Sequence, residues 1–143
     1  MNCHLFPATD YDFDFLYQLK KTAYMEYVEQ VWGWDDTFQL KFHRENFAAG
    51  NTYIIYEGGK KIGSVDVKEG ANNIFLSGLY ILPEYQSKGI GTEIINELVR
   101  RAEEANKRLE LEVLKVNVKA QKLYEKLGFT KTDRDETKYF MYK

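Results

Sequence analysis

The chain has 143 residues, 44% of them hydrophobic, and its 20 Lys and Arg residues nearly balance its 22 Asp and Glu residues, which gives a net charge of -2. This fits one globular domain that needs neither disulfides nor a structural metal, and it argues against a strongly basic nucleic-acid-binding protein. No apolar run is long enough to predict a membrane partner. A single cysteine, Cys3, forms no internal disulfide, so we expect a reducing, cytoplasmic compartment, and two histidines are too few for a zinc site.

The N-terminal part of the chain predicts one strand and two helices. We expect a strand over residues 3–6, followed by a helix that is capped by Thr9 or Asp10 and ends near Val31. A glycine then breaks the pattern, and a second helix is predicted over residues 36–48. The predicted core side of the first helix comprises Leu16, Leu19, Ala23 and Tyr27.

The middle of the chain predicts an antiparallel meander. Residues 51–57 and 61–68 are rich in Ile, Val and Tyr, which is typical of strands. Gly58 and Gly59 lie between them and can take the positive φ angles that a two-residue hairpin turn requires. A third strand is predicted over residues 74–82, after a short turn.

The C-terminal part alternates helices and strands. Apolar residues recur at helical spacing from the glycines near residue 90 to about Asn106. The elements that follow are a strand at residues 108–114, a helix at 118–127 and a strand at 138–142. The strand, helix and strand over residues 74–114 should form a right-handed parallel unit. The sequence therefore predicts a mixed α/β (α+β) sheet, an antiparallel meander followed by a parallel β-α-β unit.

One segment at a strand-to-helix junction carries the chemistry. It comprises Gln86, Ser87, Lys88, Gly89, Ile90 and Gly91. Two glycines at such a junction let a ligand phosphate approach the free amides of the first helical turn, although the same pair can simply shape a turn. A dinucleotide fingerprint would need a glycine or alanine where Ile94 stands, and the Gly-Lys-Ser/Thr of a P-loop is also missing.

A coupled pattern of residues identifies a family resemblance. The segment Gln86-x-x-Gly89-x-Gly91, with Asn117, Tyr124 and Gly128-Phe129 after it, is similar to the signature of the GNAT family of acyl-CoA-dependent N-acetyltransferases. The opening Pro7-Ala8-Thr9-x-x-Asp12 and the predicted order of elements also resemble that family. The resemblance covers nearly the whole chain, and it implies a single domain over residues 1–143 whose parallel strands splay at the acyl-CoA site.

The resemblance implies acetyl-CoA as the acyl donor and no metal. The family's cofactor contacts correspond here to the backbone of Leu79 and Ile81 for pantetheine, and to the amides of Gln86, Ser87, Lys88, Gly89, Ile90 and Gly91 for the pyrophosphate. Asn117 is expected to contact the pantetheine arm. Asparagine is also a good helix N-cap, and one residue can have both roles.

The resemblance also implies that Tyr124 donates a proton to the departing CoA thiolate. A phenol with an ordinary pKa of about 10 stays protonated at neutral pH. Tyr124 follows Asn117 by seven residues, or two helical turns of about 10.5 Å, so both lie on one helix face. The alternative is that Tyr124 is only a core residue.

The acceptor amine must lose a proton before it can attack, because an alkylammonium has no lone pair. Glu112 is the first candidate base, since it stands five residues before Asn117, as the base does in the similar ribosomal-protein alanine N-acetyltransferases. The alternative is a surface glutamate on a half-exposed strand. The remaining candidates, acting through water, are Asp66, Glu26, Glu29 and His43.

Acceptor specificity is expected in the region before the meander. Tyr27, Trp32 and Trp34 alternate there with acidic residues that can attract a cationic amine, although the same aromatics can instead pack helices together. The function predicted from the resemblance is transfer of acetyl from acetyl-CoA to a primary amine, either a small molecule or a protein N-terminus, by direct attack in a ternary complex. The alternative is a non-catalytic CoA-binding or sensing domain. The last strand, residues 138–142, is a candidate for pairing or packing across a homodimer.

Overall fold

The protein is built on a seven-stranded mixed sheet, seen in a computed structural model that describes residues 3–47 and 50–143. The strands are β1 (Cys3–Pro7), β2 (Thr52–Glu57), β3 (Lys60–Glu69), β4 (Asn73–Ile81), β5 (Arg108–Leu114), β6 (Thr130–Asp133) and β7 (Lys138–Tyr142). The helices are α1 (Phe13–Val31), α2 (Asp36–Phe47), α3 (Ile90–Glu104) and α4 (Val118–Lys126). The spatial order of the strands is β1-β2-β3-β4-β5-β7-β6.

The predicted mixed topology is confirmed. Strands β1 to β4 pair antiparallel in sequence order, and β4 pairs parallel with β5 after the α3 crossover. Gly58 and Gly59 have φ angles of 57° and 78°, as the predicted hairpin turn requires. The predicted end of the second helix, Ala48, lies outside the described residues.

The start of α1 differs from the prediction. A short 3-10 turn over Asp10–Asp12 precedes the α-helix, which begins at Phe13. Thr9 is the N-cap of this turn, as predicted, and forms a capping box with Asp12, in which the Thr9 amide donates to the Asp12 carboxylate at 2.8 Å. Lys61 then pairs with the same carboxylate at 2.5 Å and ties the turn to β3.

Helices cover both faces of the sheet. On one face, Ile94 and Leu98 of α3 pack in a cluster of buried hydrophobic residues that also contains Ile55 of β2 and Val65 of β3. Because neighbouring strand residues alternate, Ile54 and Ser64 face the opposite side, where α1 packs against β3 and β4. Among the described residues, no helix is long and apolar enough to cross a membrane.

Two features of the C-terminal strands differ from the sequence expectations. Strand β6 was not predicted, because its Thr-Lys-Thr-Asp sequence is polar and all four residues are exposed at the sheet edge. Strand β7 is paired with β5 on one side and β6 on the other. Both edges of its backbone are therefore occupied within the chain, so residues 138–142 offer no free edge for pairing across a homodimer, and packing across a homodimer stays a prediction.

Strands β4 and β5 separate after a short stretch of pairing. Their parallel register runs only from Asn73 opposite Arg108 to Leu76 opposite Leu111. At that point β4 carries a bulge, because its pairing with β3 skips Ser77. A bulge bends its strand away from its neighbour, so the ends of β4 and β5 splay apart, as the family resemblance implies.

Gly63 sets how closely β3 approaches the splayed part of β4. A Cβ at this position would stand 2.4 Å from the backbone oxygen of Tyr80. We expect Gly63→Ala to lower the free energy of unfolding by about 1–3 kcal/mol, because the backbone of β4 would have to shift. Urea unfolding measures this. Gly91→Ala is the matched control, since its Cβ would meet nothing closer than 3.6 Å, and equal stability of the two variants would contradict the packing argument.

Candidate active site

A cavity of about 350 Å³ opens where β4 and β5 separate. Its walls come from α1, β4, the loop before α3, β5 and α4. The residues predicted from the sequence that line it are Tyr27, Leu79, Ile81, Gln86, Ser87, Gly89, Gly91, Glu112, Asn117 and Tyr124. Most of the predicted site residues, which are spread over almost 100 positions of the sequence, therefore meet in one place.

Four of the predicted cofactor-binding and acceptor-binding residues do not line this cavity, and neither do the alternative bases Asp66, Glu26, Glu29 and His43. Lys88 is exposed, with its Nζ 5.7 Å from the centre of the Tyr85 ring, and the side chain of Ile90, the first residue of α3, is 1% exposed. Trp32 is 58% exposed and faces Lys138, while Trp34 Nε1 donates to Asp36 at 3.0 Å. For Lys88 and Ile90 only the backbone amides were predicted to bind the cofactor, so the positions of their side chains do not bear on that prediction. The two tryptophans belong to the turn after α1 and do not line the cavity.

The loop before α3 presents a row of free backbone amides. Ser87 and Gly89 have φ angles of 60° and 85°, and Gly89 is the N-cap of α3. Within the described residues, the amides from Ser87 to Gly91 have no acceptor, whereas the Gln86 amide donates to the Pro83 carbonyl at 3.2 Å. Consecutive free amides at a helix N-terminus form an anion-binding site, which suits a pyrophosphate.

The Gln86 side chain holds this loop against the end of β4. Its Nε2 donates to the Ile81 carbonyl at 2.9 Å, and its Oε1 accepts from Lys119 Nζ of α4 at 3.2 Å. The glutamine therefore bridges the two walls of the opening. This explains in physical terms why the loop motif begins with a side chain that both donates and accepts.

Asn117 has both of the roles that the sequence suggested as compatible. Its Oδ1 accepts from the Ala120 amide at 3.1 Å, which caps α4, and the residue also lines the cavity. Gln121 fixes the same turn, because its Nε2 donates to the carbonyls of Leu114 and Lys115 at 3.0 and 2.9 Å. The end of β5 and the start of α4 are thus firmly joined beside the cavity.

Tyr124 lies on α4 with its ring against Phe129, at 5.6 Å between centroids. The residue is 8% exposed and lines the cavity, and its hydroxyl has no hydrogen-bond partner within the described residues. Burial raises the pKa of Tyr124 to about 12. The phenol is therefore a neutral proton donor at physiological pH, and it is free to act on a bound group.

Two further tyrosines, Tyr24 and Tyr80, line the cavity together with Tyr124 and form its tyrosine wall. Tyr24 of α1 meets Tyr80 of β4 edge to face, with ring centroids 5.6 Å apart. Burial raises the pKa of Tyr24 to about 12 and that of Tyr80 well above its ordinary value. Tyr80 was not predicted as a site residue from the sequence. The available signal was its alternation with Leu79 and Ile81, which turns its side chain to the α1 face.

Glu112 is the one acidic side chain among the described residues that line this cavity. It is half-buried on β5, while Leu111 and Val113 point into the core on the other face, as the alternation predicts. Its carboxylate lies 3.7 Å from Lys138 Nζ and 3.9 Å from Arg134 Nε. Across residues 3–47 and 50–143, no group of three His, Cys, Asp or Glu side chains could hold a metal ion.

Comparison with known proteins identifies relatives over most of the chain. A family model described as "Acetyltransferase (GNAT) family" matches residues 13–129. The acetyltransferase PseH of Campylobacter jejuni is 30% identical over 124 residues, which cover 85% of this chain and 73% of that protein. The thialysine N-epsilon-acetyltransferase of Bos taurus is 40% identical over 57 residues, 39% of this chain and 34% of that protein.

Solved structures share the fold along the whole chain. The PaiA N-acetyltransferase of Thermoplasma acidophilum, in complex with coenzyme A, matches with a TM-score of 0.79 and 19% identity, and covers 100% of this chain and 99% of that one. The Campylobacter jejuni PseH structure, in complex with acetyl coenzyme A, matches with a TM-score of 0.67 and 23% identity, over 99% and 98% of the two chains. At these identities the likeness shows a common fold.

Proposed function

Because the chain belongs to the GNAT family of acetyl-CoA-dependent N-acetyltransferases, we propose that the cavity between β4 and β5 is its active site. This proposal is supported by three features that occur together in one opening. They are the splay after Leu76, the free amides from Ser87 to Gly91 and the unpaired Tyr124 hydroxyl. All the described strands join one sheet, which supports a single domain over residues 1–143.

The cavity suits the three parts of acetyl-CoA. The free loop amides would bind the pyrophosphate, and the unpaired edge of β4 at Leu79 and Ile81 would accept pantetheine as an additional strand. Asn117 would contact the pantetheine arm from the start of α4. This arrangement directs the thioester toward Tyr124, which stands two helical turns beyond Asn117.

The reaction we propose is direct attack of the amine on the thioester. The nitrogen lone pair forms a C–N bond to the acetyl carbonyl carbon, and the C–S bond breaks as the tetrahedral intermediate collapses. Tyr124 gives its proton to the departing thiolate and recovers one from the new amide nitrogen. No covalent enzyme intermediate is required, so no nucleophilic side chain is needed at the site.

The acceptor is a primary amine, and we propose that it enters between Glu112 and the tyrosine wall. The named relatives differ in their acceptors, since one acts on thialysine and an Arabidopsis thaliana Naa50 structure holds a peptide linked to CoA. Thiol release from acetyl-CoA with a panel of small amines and N-terminal peptides tests the function. Tyr24 and Tyr27 give the entrance an aromatic surface that suits a cationic group.

We propose that Glu112 holds the ammonium of the acceptor at the cavity wall. Glu112→Gln is expected to raise the KM for the amine about tenfold or more and to leave the KM for acetyl-CoA unchanged, because a charge-assisted bond of about 1.5–3 kcal/mol is lost. Steady-state kinetics with each substrate varied in turn measures this. Glu110→Gln, on the same strand face but outside the cavity, is the control. An unchanged amine KM in Glu112→Gln would contradict the assignment.

A further inference from the structure

A second cavity, of about 170 Å³, lies beside the active site on the α1 face of the sheet. The two cavities share Ser77, the bulged residue of β4, and Tyr80. The charged and titratable residues of the second cavity are Lys20, His43, Asp66, Lys68 and Tyr80. Lys68 is exposed, so this cavity reaches the protein surface. Through the shared residues, the second cavity connects the active site to solvent.

Asp66 lies beneath the floor of the active site. It is paired with Gly78 across β3 and β4, and Gly78 itself lines the active-site cavity. A Cβ on Gly78 would stand 2.9 Å from Asp66 Oδ2 and 2.9 Å from the Tyr80 hydroxyl. The carboxylate and the phenol therefore converge on one point, and the absence of a side chain at position 78 keeps that point open.

The Asp66 carboxylate is held in place with one oxygen uncommitted. Its Oδ1 accepts from Thr52 Oγ1 at 2.6 Å, while Oδ2 is the atom next to Gly78. Within the described residues no cation lies close enough to form an ion pair with it, in contrast to Glu112, which Arg134 and Lys138 engage. Asp66 is thus a half-buried carboxylate beside the active site that is free to take a proton.

The groups around Asp66 decide how it titrates. Burial raises the pKa of Asp66, which outweighs the lowering by the Thr52 hydrogen bond and by the charges of Lys20, His43 and Lys68. Burial also lowers the pKa values of Lys20 and His43. His43 Nε2 lies 3.2 Å from the Phe13 carbonyl and must carry the hydrogen of the neutral ring, so Nδ1 keeps a lone pair that can accept a proton.

We propose that Asp66 takes the proton that the acceptor ammonium gives up, that the Tyr80 hydroxyl passes it on, and that the second cavity returns it to solvent. This rests on the proposed function, and it gives Asp66 the step for which the sequence favoured Glu112. The ammonium loses one proton to Asp66 and becomes the nucleophile. The Tyr80 phenol accepts one proton and donates another, so it stays neutral. Acetyl-CoA and an ammonium then give an amide, CoA thiol and one proton released to solvent.

The test is the pH profile of Asp66→Asn with the best amine of the panel. We expect kcat at pH 7 to fall about 100-fold or more, the usual size of a general-base effect. The kcat of the wild-type enzyme should level off as pH rises. The kcat of Asp66→Asn should instead rise about tenfold per pH unit, because this variant can use only the free amine, whose pKa is near 10.4. If Asp66 had only a structural role, the kcat of Asp66→Asn would be lower at every pH and its pH profile would run parallel to that of wild type.

Three further measurements separate the outcomes. Asp14→Asn, the same change on the exposed side of α1, should keep the wild-type profile, and Asp66→Asn should keep wild-type affinity for acetyl-CoA. Thr52→Val should move the acid limb of the profile to higher pH, because the hydrogen bond that lowers the pKa of Asp66 is lost. The inference would be overturned if the pH profile of Asp66→Asn ran parallel to that of wild type, or if the kcat of Glu112→Gln, instead of Asp66→Asn, rose about tenfold per pH unit. Absence of amine-dependent thiol release in wild type would overturn the proposed function itself.

Discussion

Replacing Gly91 by valine is expected to weaken acetyl-CoA binding about 100-fold or more, a loss of about 2.7 kcal/mol. Gly91 is in the first turn of α3, and its amide is one of the free donors of the loop. A Cβ there would point between Leu123 at 3.6 Å and Ile81 at 3.8 Å, so the two methyl groups of valine would extend into the cavity. They would stand where the phosphates approach the amides. Calorimetric titration of acetyl-CoA measures the change.

The stability of Gly91→Val should be nearly that of wild type, because valine is no worse than glycine in a helix. Ala105→Val places the same side chain at the exposed far end of α3 and serves as the control, with binding unchanged. Wild-type affinity in Gly91→Val would contradict the position that we propose for the cofactor.

Tyr124→Phe is expected to lower kcat about 100- to 1,000-fold and to leave the dissociation constant of acetyl-CoA unchanged. The substitution removes only the hydroxyl, and the ring keeps its contact with Phe129. Because burial raises the pKa of Tyr124 to about 12, the phenol keeps its proton as pH rises through 10. Deprotonation of Tyr124 should therefore cause no loss of wild-type kcat up to about pH 10.

Tyr53→Phe is the matched control for the loss of a phenol. Tyr53 packs against the α3-side core cluster from β2 and does not line the cavity, so its removal should leave kcat unchanged. Stopped-flow measurement of thiol release gives the rate of the chemical step in each variant. A Tyr124→Phe enzyme with wild-type kcat would show that another group, or solvent, protonates the thiolate.

The sequence predicts most of the fold because its apolar spacing is regular where the elements are buried. Strand β5 shows this, since Leu109, Leu111 and Val113 alternate with charged residues and are all in the core. Strand β6 could not be found in the same way, because its exposed polar residues are held at the sheet edge only by pairing with β7. Edge strands of this kind depend on tertiary contacts that leave no period in the sequence.

Some residues of the candidate site are likewise predictable from the sequence and others are not. The loop residues, Asn117 and Tyr124 are predictable because their spacing is fixed by local backbone geometry at a helix start or along one helix. Ala23, expected in the core, instead lines the cavity, since the splay of β4 leaves the end of α1 without a strand to cover it. Tyr27, for which both a core and an acceptor-site role were predicted, lines the cavity as well. Trp32 is an aromatic residue of the kind that lines binding sites. The chain turns at Gly33, however, so the Trp32 side chain points into solvent.

Asp66 is one of the candidate bases named from the sequence, but its position beside the active site could not be read from spacing. It is 12 residues before Gly78 in the sequence, and only the register of β3 against β4 brings the two together. The bulge at Ser77 matters here as well, because it changes which residues of β4 face α1. A bulge of one residue has no reliable signal in a single sequence, so the position of Asp66 beneath the floor of the active site becomes visible only in the structure.

The most direct test of the proposed activity is thiol release from acetyl-CoA by the purified protein, with and without each member of the amine panel. We predict release that depends on an amine in wild type and is lost in Tyr124→Phe, while both proteins bind acetyl-CoA equally. Tight acetyl-CoA binding without thiol release for any amine or N-terminal peptide would contradict the proposed chemistry. It would instead favour a domain that binds CoA without using it.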